Sequence, residues 1–178
     1  VVSRHKAWDG PDDWDWVLGI DLMGVIYGVQ SFVPRMLASG EPGHIMNTAS
    51  TAGLLAFPGI ASYNVAKRGV VALSETLHHE FTNTALSVSV LCPGIVDTNI
   101  GTSERNREGI DYKPEPDKFL PSDGKENLTP DEVADIIVDE IRQDIFWILP
   151  HKHYGQQALE QANRRISGGT PVMPHIER

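Results

Sequence analysis

The chain has 178 residues and a net charge of −9, with 40% hydrophobic and 22% charged residues. This is the composition of one compact soluble domain, and the acidic balance argues against nucleic acid or an anionic membrane as partner. The single cysteine, Cys92, excludes an internal disulfide and suits a reducing, cytoplasmic setting. No apolar run approaches the roughly 20 residues of a membrane span, and the opening VVSRHKAWDG is no signal peptide.

Residues 1–9 read as irregular. Gly10-Pro11-Asp12-Asp13 then has the chemistry of a helix start, with proline in the first turn and carboxylates at the positive end of the dipole. Trp16, Ile20, Met23 and Tyr27 recur at helical spacing, which predicts an amphipathic helix to about Leu37, kinked near Pro34 and ended by Gly40. His44-Ile45-Met46-Asn47 is a short strand of the buried type. After it, Gly53, Pro58 and Gly59 mark a loop that leads into a second helix from about Ser62. Ala66, Val70, Leu73, Leu77 and Phe81 form that helix's apolar face.

Leu86 to Cys92 is the next strand, and Cys92 reads as a small core hydrophobe. Between Asn99 and Leu128 the periodicity fails. The stretch is polar and punctuated by Gly101, Gly109, Pro114 and Pro116, as expected of a lid over a site or of a disordered linker. Thr129-Pro130-Asp131-Glu132 is a capping box that opens a helix with Ala134, Ile137, Val138 and Ile141 inward. Ile145 to Leu149 is a last strand stopped by Pro150. A closing helix with Leu159, Ala162 and Ile166 inward ends near Gly168-Gly169, and 170–178 reads as a loose tail. The pairs His78/His79 and His151/His153 lack further ligands in sequence, so no metal site is expected. Strands alternating with helices imply βαβ units: a single domain with a parallel sheet and helices on its faces.

The chemistry concentrates between Asn47 and Lys67. Ser50 follows the first strand, Tyr63 lies thirteen residues on, and Lys67 four residues later, one helical turn from the tyrosine. A free phenol ionises near pH 10, too high for a base at neutrality; an adjacent ammonium would lower that value. A serine hydroxyl opposite could position a substrate oxygen. Such a trio suits proton transfer at a carbon–oxygen bond, and the accompanying hydride demands a nicotinamide cofactor.

With Ser50 and Tyr63-Asn64-Val65-Ala66-Lys67 in this order, the sequence resembles the short-chain dehydrogenases/reductases. Asn47 matches the family's asparagine at the strand end, and Cys92-Pro93-Gly94-Ile95-Val96-Asp97-Thr98 resembles its P-G-x-V-x-T turn against the nicotinamide. The resemblance implies a Rossmann-type, doubly wound, three-layer α/β/α domain. It implies Tyr63 as acid/base, Lys67 as the residue that lowers its pKa and holds the nicotinamide ribose, and Ser50 as the substrate-positioning hydroxyl. Pro93, Gly94, Ile95 and Thr98 would contact NAD or NADP, and the substrate would be a small alcohol or carbonyl compound. A homodimer or homotetramer would form through the helices at 12–37 and 62–82.

Two departures stand out. Asp21 occupies the position of a family asparagine that supports the lysine through water. No G-x-x-x-G-x-G turn precedes the first strand. The chain is therefore expected to be the later part of a longer enzyme, with the sheet incomplete at its amino-terminal side. On its own it is expected to be marginally stable, poor at binding cofactor and inactive. Epimerases and dehydratases with the same trio, and a non-catalytic binding or regulatory protein on the same fold, remain open as alternatives. A serine hydrolase is excluded, because no G-x-S-x-G surrounds Ser50.

Overall fold

A computed structural model describes residues 1–109, 111, 113 and 127–175. Helix α1 (Pro11–Leu18) passes through a π turn (Gly19–Met23) into α2 (Gly24–Ser39), so the expected first helix is one rod. Strand β1 (Gly43–Thr48) leads through a 3-10 turn (Thr51–Gly53) to α3 (Ala61–Glu80) and β2 (Leu86–Leu91). A 3-10 stretch (Asn99–Asn106) follows, then α4 (Pro130–Arg142), the two-residue β3 (Trp147–Ile148) and α5 (Lys152–Ile166).

The strands form a parallel sheet in the order β1-β2-β3, with Gly43 opposite Leu86 and Val90 opposite Trp147. Parallel neighbours require crossover connections, which α3 and α4 supply. This is the Rossmann-type α/β arrangement expected, with β1 at one edge of the sheet among the described residues.

Alternation along β2 sends Leu86, Val88 and Val90 to one face, where they meet α2 and α3. Val33, Leu77 and Phe81 close the lower part of that core; Val70, Val71 and Ala49 close the upper part. The face of α3 is the one expected, with Ala66, Val70, Leu77 and Phe81 buried and Leu73 packed beside them. A third cluster, Val17, Ala52, Tyr63 and Ala66, fastens α1 to the start of α3.

Three helix faces differ from expectation. The rod buries Val17, Asp21 and Val33, while Ile20 and Tyr27 lie outside. In α4 the buried residue is Val133, and Val138 is exposed. In α5 the buried residue is Tyr154, whereas Leu159 and Ile166 face out. Helix α2 runs on through Pro34 to Ser39. The whole rod Pro11–Ser39 is also long and apolar enough, by length and composition, to cross a bilayer, against the expectation that no apolar run approaches that length.

The stretch expected to be a lid is partly anchored. Ser103 Oγ accepts from Val2 N at 2.9 Å, Ser3 donates to Glu104 at 2.8 Å, and Arg107 pairs with Asp13. Its remainder, 110, 112 and 114–126, lies outside the described residues. The tail is likewise held over 172–175, where the side-chain amides of Gln157 and Gln161 bond the backbone of His175 and Val172. The sequence reading missed this because the tail is too short to carry periodicity; what ties it are two amides one turn apart on α5.

One glycine sets how closely the 3-10 turn approaches α3. A Cβ at Gly53 would stand 2.7 Å from the Lys67 carbonyl oxygen and 2.9 Å from Val71. Gly53→Ala is therefore expected to destabilise the protein by about 1–3 kcal/mol through overpacking, read as a lower midpoint in chemical denaturation. An unchanged midpoint would show that turn and helix are free to separate.

Candidate active site

The sheet's carboxyl ends and the start of α3 bring the sequence-predicted trio together. Asn47, at the end of β1, donates to Ser74 Oγ at 3.0 Å, and Ser74 in turn donates to the Val70 carbonyl at 2.8 Å. That buried chain sews β1 to α3. Beyond it, Ala49 N reaches Leu91 O at 2.8 Å and Thr51 N reaches Pro93 O at 2.9 Å, so the pairing of β1 with β2 continues past both strand ends. Ser50 lies within this extension. It N-caps the 3-10 turn, accepting from Ala52 N at 3.1 Å, and is buried.

The loop returning to α3 is clamped by Asn64, whose amide bonds both N–H and C=O of Phe57. Tyr63 and Lys67 follow on the helix's inner face and both are buried. Lys67 Nζ donates to the Thr48 carbonyl at 3.2 Å and sits 5.5 Å from the centre of the Tyr63 ring. It is also 3.8 Å from Asp21 Oδ2, presented by the π turn of the rod.

Tyr63 behaves differently from the sequence-based expectation. Its phenol is pushed up to about 12, by burial first and by the Asp21 charge, against the opposing pull of a hydrogen bond with Ser50. Burial also lowers Lys67 from its ordinary value, and Asp21 opposes that. At neutral pH the tyrosine is thus a neutral phenol. The Cys92 thiol is likewise pushed up to about 12 by burial, which suits an inert core residue.

Ser50, Tyr63 and Lys67 open onto one cavity of about 460 Å³. Pro93, Gly94, Ile95 and Thr98 line it as well, so all the expected site residues meet in a single space. Thr98 N-caps the 3-10 stretch, accepting from Ile100 N. From α4 come Val133, Ala134 and Ile137, and Phe57 comes from the clamped loop.

His151 is the site residue that sequence reasoning missed. Its Nδ1 accepts from Gly94 N at 3.0 Å and its Nε2 contacts Ile95 O at 2.9 Å. An imidazole that accepts at one nitrogen and meets a carbonyl at the other is neutral, with its proton on Nε2. It braces both sides of the Pro93–Ile95 turn. A Cβ at Gly94 would strike the Tyr154 ring at 2.6 Å and His151 at 2.9 Å, so only glycine lets the turn lie on α5. The pair His151/His153 had been weighed only as a metal site. Its position directly before a helix, 57 residues from Gly94, gave no signal of this role. Among the described residues no group of three or more His, Cys, Asp or Glu is gathered to hold a metal.

A parallel α/β sheet with helical crossovers, and Ser50, Tyr63 and Lys67 gathered on one cavity beside its strand ends, defines the class: a Rossmann-type protein. The family model for short chain dehydrogenases matches residues 5–109, and the chain belongs to that family. It is 28% identical over 186 aligned positions to a CLA biosynthesis dehydrogenase/reductase of Lactiplantibacillus plantarum, covering 96% of this chain and 65% of that protein. It is 32% identical over 146 positions to a C alpha-dehydrogenase of Sphingobium sp., covering 79% of this chain and 48% of the relative. The chain thus spans about half to two thirds of these relatives' lengths. A short-chain dehydrogenase/reductase from Burkholderia phymatum, solved in complex with NAD, superposes with a TM-score of 0.87 at 32% identity over 99% of this chain and 67% of its own.

His151→Ala removes both braces of the turn. Leaving the Gly94 N–H without its acceptor, and the Ile95 carbonyl with only the 3.4 Å bond from Leu128 N, is expected to cost about 1–3 kcal/mol of stability. Hydrogen exchange at the Gly94 amide should accelerate accordingly, and an unchanged rate would show that the turn is held elsewhere.

Proposed function

We propose that this chain carries the proton-transfer site of an NAD- or NADP-dependent oxidoreductase that interconverts an alcohol and a ketone or aldehyde. The observation that carries this reading is the convergence of the Ser50 hydroxyl, the Tyr63 phenol and the Lys67 ammonium on one cavity. The donor set fits the nicotinamide end of such a cofactor. Lys67 and Tyr63 line the cavity together with the braced Pro93–Ile95 turn and Thr98. The hydride chemistry comes with the nicotinamide when it is bound.

The chain's own residues do the rest. Ser50 holds the substrate oxygen by a hydrogen bond. Tyr63, neutral at physiological pH, donates its proton to that oxygen as a carbonyl is reduced. Lys67, fixed by the Thr48 carbonyl, supplies positive charge beside the phenolate left behind. In the reverse direction Tyr63 must first lose its proton. Because its phenol is held up at about 12, oxidation of an alcohol gains from rising pH across the alkaline range while carbonyl reduction does not. Val133, Ala134, Ile137 and Phe57 give the cavity apolar walls, which favour a substrate with an apolar body around its reacting carbon. Ile20, Tyr27, Phe32 and Val65 leave apolar surface exposed on α2, α3 and the π turn, consistent with pairing of these helices between copies in a homodimer or homotetramer.

The test uses the full-length polypeptide that carries this chain, with cofactor titration by nicotinamide fluorescence and a panel of apolar alcohols and ketones. Tyr63→Phe is expected to lower turnover by about 10²–10⁴-fold while leaving cofactor affinity in place. Cofactor binding without turnover of any alcohol or ketone would overturn the proposal in favour of a binding or regulatory protein. Sedimentation of the same protein should give a dimer or tetramer that Phe32→Glu dissociates, and a monomer at micromolar concentration would refute the assembly.

A further inference from the structure

The roles above leave one buried charge unused. Asp21 is 6% exposed, in the middle of the rod, on the turn where Gly24 N bonds Gly19 O with a five-residue step. Its Oδ1 accepts from the Val1 backbone nitrogen at 2.7 Å. Its Oδ2 is buried, makes no hydrogen bond among the described residues, and points its charge at Lys67 Nζ, 3.8 Å away. Lys67 donates one of its three N–H groups to the Thr48 carbonyl, and Asp21 Oδ2 at 3.8 Å lies beyond hydrogen-bond distance, so their link is charge against charge.

We propose that Asp21 is a positioning residue that fixes the charge of the Tyr63–Lys67 pair, so that the pair gives up its first proton at a higher pH than an uncharged residue at 21 would allow. The inference rests on Tyr63 and Lys67 being the proton-handling groups of the site. An isolated ammonium beside a phenol makes the pair cationic, and loss of a proton from either group relieves that charge. A carboxylate beside the ammonium makes the trio neutral, and the same loss then leaves a net negative charge in a desolvated place. The carboxylate therefore keeps the pair in its resting form, phenol and ammonium, across neutral pH.

The other groups facing this point do not replace it. From α3 there are only Lys67 and Tyr63 themselves. The N-terminal segment offers the Val1 nitrogen, which donates to Oδ1, and Arg4, which lines the same cavity as Tyr63 and Lys67; neither supplies a negative charge. Strand β1 contributes the Thr48 carbonyl and the Asn47 amide, neither of which titrates. Cys92, beyond β2, is a thiol kept neutral by burial. His5 turns to Ser62 and Arg68 to the Leu54 carbonyl.

The readout is the ionisation itself, in the absence of cofactor and substrate. Tyrosine labelled with ¹³C at Cζ and lysine labelled at Cε report both groups, with Tyr63→Phe and Lys67→Met assigning the resonances. In Asp21→Asn the pair's first ionisation is expected to move down by about one pH unit or more, a tenfold or greater rise in acidity. Asp21→Glu should restore the wild-type midpoint. Asp21→Ser, which removes the charge with a smaller side chain, serves where the asparagine variant does not fold. A midpoint that stays in place in both uncharged variants, with native spectra, would overturn the proposal. A midpoint that moves in an enzyme that turns over no alcohol or ketone would support the Asp21 role while sinking the dehydrogenase reading, so the two failures are distinguishable.

Discussion

The site depends on one seam, where the end of β1 is drawn tightly against α3. Three contacts make it: Asn47 to Ser74, the Lys67 ammonium to the Thr48 carbonyl, and the 3-10 turn resting on the Lys67 backbone at Gly53. Each joins the strand end or the turn around Ser50 to the helix that carries Tyr63 and Lys67. The spacing of the hydroxyl, phenol and ammonium is therefore set by backbone and buried polar contacts, not by the reach of flexible side chains. A site that must hold reacting atoms within a fraction of an ångström needs this kind of support.

Burying an ammonium there carries a cost that the surroundings offset. Lys67 leaves water for a position beside an aromatic face, a strand-end carbonyl and a carboxylate. Removing one member of a buried charge pair strands the other, which typically costs about 3–5 kcal/mol. Asp21 and Lys67 thus bind the rod to α3 as well as to each other. The same carboxylate, together with burial, accounts for the high phenol of Tyr63. Stability of the seam and reluctance of the tyrosine to ionise have a common origin.

Much of this was legible in the chain because it depended on short spacings. Tyr63 and Lys67 share a helix face by a four-residue step, and Thr129 and Glu132 form both bonds of the capping box that their spacing implies. The apolar face of α3 also followed from periodicity, since that helix packs along its length on the sheet. The faces of α4 and α5 did not. Both carry apolar residues on more than one side, and the choice between Val133 and Val138, or between Tyr154 and Leu159, is made by the cavity and the Pro93–Ile95 turn. His151 was invisible for a related reason. Its two partners are backbone groups, which leave no mark on the sequence. The high phenol of Tyr63 was not legible because pairwise spacing says nothing about burial.

The rod Pro11–Ser39 carries two opposed signals. Its length and composition would suit a bilayer, and Ile20, Tyr27, Phe32 and Leu37 are exposed along it. Yet its inner side holds Asp21 against Lys67, and Val17 and Val33 in the core. Drawing the rod away into lipid would separate that charge pair and open the packing of Val17 against Ala66 and Tyr63. Exposed Gln30 and Arg35 interrupt its outer apolar surface. An outer face of this kind, apolar at intervals and polar between, is better matched by another protein surface than by hydrocarbon, which offers no partner to the polar groups. The two sides of the rod thus divide its roles: the inner side holds Asp21 and the core valines, and the outer side carries the spaced apolar residues.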